Sequence, residues 1–117
     1  MDSKMMVTIL SISQITSDII EVSLSIENTE YQFVFTLEKD QFEPNLISIK
    51  EESNFSKLFM FNVHISSKIL QLVIKMINHQ EINFPLEIGE FYTKEEALKQ
   101  QKYFSNKNKD KMTVSIL

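Results

Sequence analysis

The chain contains no cysteine, no arginine and no tryptophan, and only one glycine and two prolines. Without cysteine there can be no thiolate zinc site, CxxC redox pair or thiol nucleophile, and the composition fits a reducing compartment. All 12 basic residues are lysine, so no side chain offers the planar, bidentate grip that phosphate and guanine recognition favour. Phosphate loops, nucleophile elbows and dinucleotide fingerprints each need several glycines, and Gly89 stands alone. Long apolar runs are missing as well. The greasiest stretch, residues 58–77, is broken by Asn62, His64, Lys68, Gln71 and Lys75, so no membrane span is expected. The first residues lack the basic start and long apolar core of a signal peptide, and a cytoplasmic location is expected.

What is present suits one domain over residues 1–117. At 43 % hydrophobic residues the chain can bury a core without disulfides or metal. The net charge of −4 is uneven: residues 1–60 hold ten acids and four lysines, residues 61–117 six acids and eight lysines. The two halves could attract each other within a fold or between copies, although a solvated surface explains the same pattern.

The most informative stretch is residues 65–79, ISSKILQLVIKMINH. At about 100° per residue, Ser67, Lys68, Gln71, Lys75, Asn78 and His79 fill one arc, and Ile65, Ile69, Leu70, Leu72, Val73, Ile74, Met76 and Ile77 fill roughly 200°. One covering surface needs a stripe of only about 100°, which predicts a helix with two apolar neighbours. Ser66 is the expected N-cap, with Ile65 and Leu70 forming a staple across it. Leu70, Ile74 and Ile77, together at one edge of the arc, are the candidates for contact with a partner.

Strand patterns precede the helix. Residues 5–12 carry apolar side chains at both parities, which suggests an interior strand, and residues 13–18 read as a turn. In residues 20–26 and 31–37, alternation places Ile20, Val22, Leu24 and Ile26 on one face with Tyr31, Phe33, Phe35 and Leu37. A hairpin folded about Asn28-Thr29 pairs positions summing to 57, such as Leu24 with Phe33. Residues 46–50 suggest a further short strand. Residues 53–63 fit two periods: Phe55, Leu58, Phe59 and Asn62 a helix; Phe59, Phe61 and Val63 a strand. Aromatic and β-branched content favours a strand over 58–63. Residues 81–91 read as extended and, because Pro85 cannot donate to a ladder, as an edge strand or a strand split at the proline. The lone Gly89 is expected in a backbone conformation other residues avoid. Thr93-Lys94-Glu95-Glu96 is a capping box that opens a helix to about residue 104, and residues 112–117 alternate as a closing strand.

Residues 89–97, GEFYTKEEA, locally resemble the strand-to-helix junction of SPOR peptidoglycan-binding domains and of the plant ethylene-response-factor DNA-binding domain, through the shared pattern G-x-F-x-[ST]-x-x-E-A. The resemblance implies a glycine, a buried aromatic and a capped helix. The βαβ half of the first family, and the strand arginines and tryptophans of the second, have no counterpart here, so no function is carried over.

Candidate sites are sparse. His64 and His79 lack metal-ligand spacing, so no metal is expected. Glu51-Glu52 and Glu95-Glu96 are adjacent acids that point apart in regular structure, and capping accounts for the second pair. Lys99, Lys102, Lys107, Lys109 and Lys111 form a basic cluster that reads as solvated surface, with no nucleic-acid partner expected. No catalytic residues or cofactor emerge, and the sequence points away from an enzyme.

The expected architecture is α+β: an antiparallel sheet of about five strands with two helices packed on one face, in two layers. The expected function is that of a small, acidic, cytoplasmic, non-catalytic interaction or regulatory protein that self-associates as a homodimer or other homo-oligomer. Its warrant is the surplus apolar surface of the main helix and the edge strands at 81–88 and 112–117. The alternative is a binder of a small apolar ligand in a cavity between that helix and the sheet.

Overall fold

The alternating stretches after residue 18 do form a hairpin, and the rest of the sheet grows outward from it. A computed structural model describes residues 5–43 and 45–99. Along the chain lie β1 (Met5–Thr16), β2 (Ile19–Ile26), β3 (Thr29–Lys39), β4 (Ile47–Glu51), α1 (Ser53–Leu58), α2 (Val63–Ile77) and β5 (Leu86–Phe91). The strands make one antiparallel sheet in the order β4-β3-β2-β1-β5, and the fold is α+β. No helix among the described residues is long and apolar enough to cross a membrane. The expected closing strand at 112–117 lies outside the described residues.

The hairpin register differs from expectation by two residues. Ile20 faces Phe35, Val22 faces Phe33 and Leu24 faces Tyr31. The connection is a two-residue loop, Glu27-Asn28, with Glu27 at φ 56°. Side chains alternate with period two, so a slip of two keeps the same residues facing inward. It also separates Glu27 from Glu30, which now stands opposite Ser25.

β1 is interior, between β2 and β5. It runs on through the expected turn to Thr16, leaving only Ser17 and Asp18 to reverse the chain. The register against β2 shifts between Ile9 and Ser11 and again between Gln14 and Thr16. Leu10 is thus an extra, bulged residue. That bulge explains the mixed parity of the apolar positions: Val7 and Ile9 point inward before it, Ile12 after it.

Residues 53–63 correct the strand reading. Phe55, Phe59 and Asn62 are buried and Leu58 is half-buried, whereas Phe61 and Val63 are 37 % and 65 % exposed. The helical period therefore prevails, because α1 can set Phe55 and Phe59 against Phe33 and Phe35 on the inward face of β3. Phe59 also meets Phe91 of β5, with ring centroids 6.0 Å apart. The two helices on the inward face are α1 and α2. Of the helix expected over 93–104, residues 94–99 are helical and the remainder lies outside the described residues.

α2 begins before Ser66. Asn62 is its N-cap residue, and the Ser66 hydroxyl donates back to the Val63 carbonyl at 3.1 Å. Ile65, Ile69, Leu72 and Val73 are buried, and the helix lies nearest β5 and β1. The expected neighbour, the hairpin, instead sets Phe33 and Phe35 of β3 against Phe55 and Phe59. At the far end, His79 takes the left-handed conformation at φ 59°. Its N–H bonds to Met76 O, and the Gln80 N–H to Lys75 O. These two bonds make a Schellman motif, whose left-handed position suits glycine. Replacing His79 with glycine is expected to raise stability by about 0.5–1 kcal/mol, read as a higher urea midpoint at unchanged slope.

Candidate functional site

β5 is the strand at one margin of the sheet, and its outward backbone groups are met by side chains from the first half of α2 and from its cap. The Asn62 amide donates to Tyr92 O at 2.9 Å and accepts from Tyr92 N–H at 2.7 Å. His64 Nε2 lies 2.8 Å from Glu90 O, and Lys68 Nζ donates to Ile88 O at 2.8 Å. Residues 88, 90 and 92 alternate along the edge facing away from β1. Side chains at positions 62, 64 and 68 thus stand where a neighbouring strand would bond, and this edge is closed to strand addition. Gly89 sits beneath them at φ 144°, where an added Cβ would come within 3.0 Å of Ile65 Cδ1. The backbone conformation favours glycine, and a Cβ there would press on Ile65.

The other ionisable candidates also serve local structure. His79 caps the opposite end of α2 from His64. Glu51 accepts from the Ser56 hydroxyl at 2.9 Å, and Glu52 accepts from Val34 N–H at 3.1 Å. Glu96 and Thr93 complete the capping box, hydroxyl to carboxylate at 2.9 Å. Among the described residues, no three side chains of metal-ligating type converge.

The apolar edge of α2 contains the three residues singled out by the helical wheel. Ile74 is 46 % exposed, while Leu70 and Ile77 are half-buried and lean on the core. Val63 belongs to the same line: seven, eleven and fourteen residues separate it from Leu70, Ile74 and Ile77, which is close to a whole number of turns in each case. Met60 and Phe61, both exposed, lie in the turn before it, separated from Val63 by the buried Asn62. The Lys94 ammonium lies 6.0 Å from the centre of the Phe61 ring. Met60, Phe61 and Val63 are not among the candidates from the sequence, because a strand over 58–63 places Phe61 and Val63 on one inward face with Phe59, whereas residues 59–62 form the turn between α1 and α2.

Comparison of the chain with protein-family models, with curated proteins and with solved structures finds no match. The fold is α+β, and its main helix exposes Val63 and Ile74 beside the half-buried Leu70 and Ile77.

Proposed function

We propose that the chain is a small, cytoplasmic, non-catalytic interaction or regulatory protein that pairs with a second copy through the outer edge of α2. The observation that carries this reading is the apolar edge of α2, with Val63 and Ile74 exposed and Leu70 and Ile77 half-buried between them and the core, on a helix whose other face is buried. A helix edge apolar over several turns suits a two-fold contact in which the same residues meet from both copies. The absence of cysteine supports the cytoplasmic assignment.

Light scattering across a wide concentration range tests the pairing. The wild type is expected to show a mass above that of the single chain, and Ile74→Lys to restore the single-chain mass. A two-fold interface carries the substitution twice. At about 1.5–3 kcal/mol per buried side chain, the dimer should weaken by at least roughly a hundredfold. A wild type that stays monomeric at millimolar concentration removes the reading.

A further inference from the structure

The two sides of the sheet are finished differently. Where α2 and its cap close β5, β3 loses its outer neighbour partway along. The β3–β4 register ends at Phe35 opposite Glu51, and from there back to Thr29 the outer side of β3 has no strand next to it among the described residues. The bonding parity on β3 is set by two contacts: Leu37 N–H bonds toward β2 at Asp18 O, and Asp40 N–H bonds toward Leu46 O on the β4 side. Even-numbered residues therefore face the outer edge. Val34 N–H is taken by the Glu52 carboxylate. Beyond it, the N–H and C=O groups of Gln32 and Glu30 face a space in which none of the described residues forms a strand. That space is a groove of about 360 Å³ lined by Tyr31, Gln32, Phe33, Glu52, Asn54 and Leu58, with α1 as its far wall.

We propose that this groove accepts an extended segment of another protein chain, added to β3 in line with β4 and alternating apolar with lysine side chains. The backbone of Glu30 and Gln32 supplies the ladder bonds, as in other strand additions. Side chains of the incoming strand alternate between the two faces of the sheet. Those on the inner face meet Tyr31, Phe33 and Leu58. Those on the outer face meet Glu30, with the Glu52 carboxylate at the end of the slot, and no residue lining the groove is cationic. This charge pattern selects lysine over glutamate at the outer positions.

The probes are a fluorescent hexapeptide alternating valine and lysine and its counterpart with glutamate for lysine, titrated into the full-length protein. The lysine peptide is expected to bind more tightly and to slow hydrogen exchange at the Glu30 and Gln32 amides. Glu30→Lys should reverse the preference between the peptides. Gln32→Pro removes one ladder donor at an edge position where proline is tolerated, and should weaken binding about two- to tenfold. If that variant fails to fold, Glu30→Lys decides alone. Equal affinity for the two peptides, or no added protection at residues 30 and 32, overturns the proposal. So does strong protection of those amides before peptide is added, since the slot would then be filled by the protein itself.

Discussion

Replacing Asn62 with alanine is expected to lower the free energy of unfolding by about 2–4 kcal/mol, because two backbone groups lose their partner in one step. Asn62 is 1 % exposed and holds both the N–H and the C=O of Tyr92, thirty residues away in sequence. Water cannot readily replace a side chain so buried, so each orphaned group bears its desolvation cost. Urea unfolding measures the loss, and exchange at the Tyr92 amide should rise ahead of global unfolding. Asn62→Asp gives a sharper result. One carboxylate oxygen can still accept from Tyr92 N–H, but the other faces Tyr92 O, oxygen to oxygen. The charged form is disfavoured in the fold, so this aspartate should titrate above its unfolded value of about 3.9. Protonation restores a donor toward the carbonyl. The deficit against wild type should therefore be greatest at neutral pH, shrink as pH falls through the raised folded value, and be smallest below about pH 4. A deficit that is flat with pH would mean that the Asn62 amide nitrogen does not serve Tyr92 O.

The same residue shows where sequence patterns stop. The faces of β2 and β3 were legible because alternation records burial. Their register was not, since a period of two cannot detect a slip of two; the Glu27-Asn28 loop sets it. Mixed parity in β1 suggested an interior strand, and it is interior, but the cause of that parity is the bulge at Leu10. In residues 53–63 the β propensity of Phe59, Phe61 and Val63 lost to the burial available to Phe55 and Phe59. Propensity is a weak prior against such tertiary packing. The helical wheel places Leu70, Ile74 and Ile77 at one edge of the apolar arc, but does not show that Leu70 and Ile77 lean on the core while Ile74 is exposed. The contacts from Asn62, His64 and Lys68 to β5 could not be read from it either, because a polar residue on a helix looks the same whether it meets water or a strand edge. The open backbone of Glu30 and Gln32 was equally hidden: it depends on where β4 stops.

Phe55→Ala should be the most costly single change, at about 3–5 kcal/mol. Phe55 has no exposed surface, and its ring centre lies 5.3 Å from Phe33, 4.9 Å from Phe35 and 5.0 Å from Phe59. Two of these contacts are edge-on, the geometry ring quadrupoles favour. The loss extends beyond the ring itself. α1 spans only six residues, from Ser53 to Leu58, far short of what sustains an isolated helix in water. Its helicity therefore depends on docking, and Phe55 is its one buried side chain. Removing the ring should release α1 as well as leave a cavity, and exchange across residues 53–58 should approach the unprotected rate under native conditions. Phe55→Leu, which keeps most of the volume, should cost clearly less and leave α1 protected. Because Asn54 and Leu58 of α1 wall the groove beside β3, the alanine variant should also lose peptide binding in proportion to the released helix, while the leucine variant retains it. A loss below about 1 kcal/mol in Phe55→Ala, with α1 still protected, would show that the helix is held by something other than its phenylalanine.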